Sequence, residues 1–169
     1  MSILRRVAGR LRDEQGSTLL EYAIVLPVLL AFLFGIMDFC RFLYTYHFVS
    51  EVAREGTRYA MVRGSTFGST ACTTPAIFAC NATAANVQSY VQGLTPPGIA
   101  SGSLAVTTTW PGTAPTGATT ACPSGNNGKN PGCLVQVLVS YPFKFMLPFL
   151  PSSASTWTMS STSVVVISQ

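Results

Sequence analysis

The 169 residues suit one folding unit plus an anchor rather than two independent cores. Only 9% of them are charged, against roughly 25% in a soluble globular domain, while the 48% that are hydrophobic include one concentrated block, which points to a membrane or surface protein. The net charge is +4, but the charged residues sit mainly before residue 64; beyond Arg63 only Lys129 and Lys144 are charged and no acid appears, so the clustered Lys/Arg footprint of a nucleic-acid binder is missing.

At the N-terminus, Arg5, Arg6, Arg10 and Arg12 stand against Asp13 and Glu14. From Ser17 to Met37 the chain reads STLLEYAIVLPVLLAFLFGIM, with a single charge and a length close to the roughly 20 residues a helix needs to cross a bilayer. Its apolar residues go all the way round instead of forming one stripe, which argues for lipid on every side and against a buried core helix. The four arginines before it leave residues 1–16 in the cytoplasm by the positive-inside rule, and everything after about Asp38 outside. No small-residue cleavage site of the secretory kind follows the apolar block, whose end is Gly35-Ile36-Met37-Asp38.

A different processing signal stands at the other end of that block, where Gly16 is followed by Ser17-Thr18-Leu19-Leu20-Glu21-Tyr22. It resembles the G/xxxxEY motif of the Flp-type pilins and pseudopilins of tight adherence (Tad) pili. The resemblance implies that a prepilin peptidase removes residues 1–16, that Ser17 becomes the N-terminus, and that the apolar helix stays with the mature chain. Glu21 would cost about 2 to 3 kcal/mol or more at mid-bilayer, so it needs a partner. It lies about 6 Å along a helix from the freed Ser17 amine and could pair with it in the same or a neighbouring subunit. In pilins this carboxylate registers subunits during assembly; the alternative is a residue at the headgroup layer, near water. Pro27 removes one helix hydrogen bond and favours a kink, which membrane helices tolerate.

Past the membrane, Phe48, Val49, Val52, Ala53, Gly56, Tyr59 and Ala60 recur at helical steps, with Glu51, Arg54, Glu55 and Arg58 on the other positions. Glu51 with Arg54 and Glu55 with Arg58 are favourable spacings. One helix from about Ser17 to Arg63, on the order of 70 Å long, is expected, with Gly64 placed to end it. The stretch LPVLLAFLFGIMDFCRFLYTYHFVSEVAREGTRYA, Glu55-Gly56 above all, resembles the N-terminal region of the TadE-like minor pilin family. The later VQVLVSYPFKFMLPFLP and its Ser/Thr-rich terminal strand agree with it, while residues 65–130 carry no family-specific support.

Residues 65–83 and 111–132 are rich in Gly, Ser, Thr, Pro and Asn and read as loops. Between them Asn86–Leu94 suggests a short helix with Val87, Tyr90, Val91 and Leu94 on one face. Leu104, Val106, Thr108 and Trp110 alternate as in a strand, and Leu134–Tyr141 and Thr156–Ile167 supply two more. The expected class is α+β: a long N-terminal helix carrying a small antiparallel sheet and a short helix on its extracytoplasmic half. Its divisions are a leader over 1–16, a span over 17–37, an amphipathic continuation over 38–63 and an exported domain over 64–169.

Of five cysteines, Cys72, Cys80, Cys122 and Cys133 fall in exported loops, where an oxidising periplasm lets disulfides persist. Four cysteines allow three pairings and sequence cannot choose; Cys72 with Cys80 and Cys122 with Cys133 is favoured because each bond would staple a loop without a core. Cys40 reads as a small apolar residue of a packed helix, with an intersubunit disulfide as the alternative. No C-x-x-C occurs and His47 is the lone histidine, so neither a metal nor a cofactor is indicated. Tyr141–Pro151, YPFKFMLPFLP, is too short to span a bilayer and too proline-rich for a regular strand. It packs on the protein's own core or faces a neighbouring subunit or the membrane. Asn81-Ala82-Thr83 matches a glycosylation sequon, a weak hint in a bacterial context.

The acids after the span all lie on the long helix, which leaves no catalytic constellation, P-loop or GxGxxG turn. The resemblance implies a non-enzymatic minor pseudopilin of the bacterial inner membrane, in contact with lipid. Its domain would be periplasmic, or carried into the pilus, with the peptidase, other Tad pilins and minor pilins and the Tad inner-membrane assembly machinery as partners. The competing reading is a membrane-tethered exported binding module that is never polymerised.

Overall fold

A computed structural model describes residues 2–68, 80–118, 121–123, 125–146 and 156–168, with side chains from Thr18 onward. The fold is α+β. One helix, α1 (Ser2–Val62), runs for 61 residues, about 90 Å at 1.5 Å per residue. It begins at Ser2 rather than near Ser17, because Leu, Arg and Ala dominate the first turns and favour helix. Pro27 lies inside the helix without ending it.

Upstream of Asp38 almost every described α1 residue is exposed, Leu19 by 71% and Phe32 by 67%. From Thr45 onward the burial becomes one-sided: Val49, Val52, Ala53, Gly56 and Ala60 are buried, while Glu51, Arg54 and Arg58 are exposed. That stripe lies under a three-stranded antiparallel sheet of order β1-β2-β3, formed by Ala105–Thr109, Leu134–Lys144 and Thr156–Val166. Ser140 of β2 pairs with Ala105, and Leu134 and Lys144 pair with Val166 and Thr156. Val135, Val137 and Val139 point inward from alternate positions of β2 and join the helix stripe in one core, and Phe143 is buried further along the same face. Fully burying each such valine contributes about 1.5–3 kcal/mol.

The short helix α2 (Ala84–Gly93) closes the core against α1 and β1. Val87 and Val91 are buried there, whereas Tyr90 and Leu94 stay partly exposed, and the Tyr90 ring stacks 4.5 Å from that of Tyr59. Thr83 caps α2 reciprocally with Asn86, which uses the sequon threonine as a helix cap.

β2 runs three residues beyond the expected Tyr141 and contains Pro142. The proline is tolerated because the last β1 pairing is at Ser140, so β2 has a strand on one side only at that point. The rest of the Tyr141–Pro151 segment, from 147 on, lies outside the described residues.

Candidate functional site

Gly16 and Ser17 sit within the continuous backbone of α1, so in the uncut chain the bond between them belongs to a helix. Glu21 and Tyr22 follow on exposed positions, Tyr22 by 71%. The chain itself offers Glu21 no cation between Thr18 and Met37, where Glu21 is the sole charged residue. This length of α1 is apolar enough to cross a membrane and almost none of it is covered by the rest of the protein. A soluble core helix would have its apolar surface covered; here the uncovered surface needs another apolar environment.

The second constellation lies where the apolar stretch ends. Asp38 is 4% exposed although it is a carboxylate. Its Oδ1 accepts from Arg41 Nη1 at 2.9 Å, and its Oδ2 accepts from the backbone N–H of Met146 at 2.7 Å. The charge is thus met by a cation one turn above and by a main-chain donor 108 positions away. Arg41 lies over the Phe143 ring at 5.5 Å, and Phe42 meets Phe143 edge-on at 5.6 Å and Phe145 in a stack at 6.0 Å. These contacts clamp one end of the sheet to the turn of α1 that follows its apolar stretch. Lysine-free and acid-poor as this stretch of helix is, sequence reasoning saw in Asp38 only a topological marker; the buried acid directly after an apolar block was the available signal.

Cys40 is a free thiol exposed on the same turn of the single chain. The helix surface there has no sheet over it, since the sheet covers the face of Arg41, Phe42 and Thr45.

The upper end of α1 is held by main-chain donors. Ala82 N–H donates to Arg63 O at 2.9 Å and Ser168 N–H to Met61 O at 3.3 Å, taking carbonyls that a helix terminus otherwise leaves unpaired. Within the helix, the buried Thr57 hydroxyl reaches the Ala53 and Arg54 carbonyls and lies 2.8 Å from Ser163 Oγ of β3. Glu55 accepts from Arg58 at 2.9 Å on the exposed side. Gly56, next to it, has no room for a side chain: a Cβ there would lie 2.9 Å from Val91 Cγ2 and 3.3 Å from Val137 Cγ1.

The loops above this end are built around Asn130 and Lys129. Asn130 Oδ1 accepts from Ser65 Oγ and Asn126 Nδ2, and its Nδ2 donates to Pro123 O and Gly125 O. Lys129 Nζ donates to Ala82 O at 2.8 Å and lies 4.5 Å from the centre of the Trp110 ring, and its burial pulls the ammonium pKa down. Cys122 and Cys133 are bonded across 4.9 Å between their Cα atoms, closing this loop. Cys80 is disulfide-bonded as well, and Cys72 lies outside the described residues. Among the described residues, no group of three or more His, Cys, Asp or Glu side chains is arranged to hold a metal ion.

Comparison with known proteins gives one family. Residues 16–58 match the TadE-like protein family, a stretch that starts at Gly16 and ends two residues beyond Gly56. No curated protein and no solved structure matches the chain.

Proposed function

With a TadE-like N-terminal region as the premise, we propose that this chain is a minor pseudopilin of a Tad-type pilus, cut between Gly16 and Ser17 by a prepilin peptidase. In this reading residues 1–16 are a cytoplasmic leader and the apolar part of α1 anchors the mature chain in the bacterial inner membrane. Residues 64–169 form a periplasmic domain that helps to assemble a pilus used in surface adhesion. The chain is then a substrate of the peptidase and a partner of other pilins and of the inner-membrane assembly machinery.

The observation that supports it best is a coincidence of boundaries. The family match begins at Gly16, the glycine of the cleavage motif, and the uncovered apolar surface of α1 follows it directly. Cutting there removes the arginine-rich turns and leaves the membrane segment, and it frees an amine about 6 Å from Glu21 along the helix. That amine would be the counter-charge that a carboxylate at the membrane boundary requires.

Mass spectrometry of the membrane-extracted protein tests the reading. A mature N-terminus at Ser17 is expected, and Gly16→Ala should leave an uncut precursor. An intact Met1 or Ser2 terminus would overturn the pseudopilin reading in favour of an unprocessed, membrane-tethered module. Glu21→Ala should still be cut but should not support pilus assembly.

A further inference from the structure

With α1 spanning a bilayer, the lower rim of the domain would lie at the depth of the phospholipid headgroups. The 20 residues from Thr18 to Met37 span about 30 Å, the thickness of the hydrocarbon core, so Asp38 marks its far boundary. Arg41 and Thr45 follow about 5 and 10 Å higher, in or just above the headgroup layer. The Asp38–Met146 bond ties the end of β2 to that same level. Tyr44, Tyr46, Met146 and Trp157 are exposed around this plane, the last two by 75% and 63%, and amphipathic rings favour that depth.

Between α1 and the end of β2 lies a cleft of about 430 Å³, whose lining includes Arg41, Tyr44, Thr45, Tyr141, Phe143 and Lys144. Two of its side chains are cationic and none is acidic. Asp38 binds Arg41 through one guanidinium nitrogen, Nη1, and Phe143 lies beneath the guanidinium, so the group is held in place with donors to spare. Lys144 is exposed on the neighbouring strand, and it is one of two charged residues after Arg63. A fork held by a carboxylate and an aromatic face, with a second cation beside it and phenol and hydroxyl groups nearby, is suited to a phosphate oxyanion.

We propose that this cleft seats the phosphate of an anionic phospholipid from the leaflet that α1 enters last, so that the domain is docked on the membrane and not only tethered to it. The proposal rests on α1 spanning the bilayer. A lipid is favoured over free phosphate because the two cations stand at headgroup depth beside exposed apolar groups that would lie along the glycerol and upper acyl chains.

The test uses the full chain in vesicles containing both phosphatidylglycerol and phosphatidylethanolamine, ejected for native mass spectrometry. Wild type should retain phosphatidylglycerol in preference. Lys144→Gln, at an exposed position, should lower that retention about fivefold, and Arg41→Gln with Lys144→Gln further. Near-ultraviolet circular dichroism identifies any variant that has lost its fold, and Lys144→Gln carries the test by itself if the double variant has. Equal retention of both lipids, equal retention by wild type and Lys144→Gln, or full displacement of the lipid by inorganic phosphate would each overturn the proposal. Release of the chain from vesicles by alkaline carbonate would instead refute the anchoring on which it rests.

Discussion

Replacing Gly56 by alanine should destabilise the domain packed on α1 although alanine is the better helix former. In an open helix the change would gain about 0.5–1 kcal/mol. Here the new methyl would stand 2.9 Å from Val91 Cγ2 and 3.3 Å from Val137 Cγ1. Both valines are fully buried and β-branched, one on α2 and one in the central strand, so neither can turn aside without moving its element. Overpacking of this kind costs about 1–3 kcal/mol, which, set against the helix gain, leaves a net loss of about 1 kcal/mol for Gly56→Ala. Gly56→Val should lose more. For a chain of this size the alanine variant should melt about 2–4 °C lower. Thermal unfolding of the detergent-solubilised chain, followed by near-ultraviolet circular dichroism, measures it. Gly35→Ala is the control, because a Cβ at Gly35 meets nothing within 4 Å. A Gly56→Ala protein as stable as wild type would show that close approach of α2 and β2 is not what holds this position to glycine.

Three further outcomes follow from the contacts. Asp38→Ala removes the acceptor of Met146 N–H and the partner of Arg41, which should cost about 1–3 kcal/mol and raise hydrogen exchange at the Met146 amide selectively; unchanged exchange there would exclude the clamp. Burial lowers the Lys129 pKa from the ordinary 10.5, so the unfolded chain binds that proton more tightly than the folded one. Between the lowered value and 10.5 the stability of wild type relative to Lys129→Met should therefore rise with pH, the cost of the buried charge being fully present below that window; urea titrations in alkaline buffers would detect it. Finally, a non-reducing peptide map should yield a Cys72–Cys80 crosslink alongside the Cys122–Cys133 bond.

The long helix, its apolar half and its packing stripe were legible because local periodicity encodes them: Val49, Val52, Ala53, Gly56 and Ala60 are buried as their spacing requires. The three strands were legible for the same reason. What was not legible depends on partners distant in sequence. Pro142 spoke against a strand until the shortness of β1 left β2 open on one side. Gly64 stands just past the end of α1, where the sequence places a terminating glycine, but that the carbonyls at that end are taken by Ala82 and Ser168 was hidden. That the sheet leaves Cys40 uncovered could not be read either, because helix periodicity does not reveal where the sheet stops. At Asp38 the charge was plain, but its acceptor role toward Met146, across 108 positions, could not be read from either segment alone.

The sheet domain is fastened to α1 at two levels, Asp38 with Met146 at one end and Met61 with Ser168 at the other. About 34 Å of helix separates them. A load applied along the helix axis therefore pulls on both fastenings in shear, at once, and does not peel the sheet away from one end. The domain is also denied a hinge of its own: rotating α1 by 100° turns the sheet by the same angle, and sliding α1 by one turn lifts it by about 5.4 Å. Any machinery that grips only the apolar part of α1 thus steers the whole domain, in height and in heading.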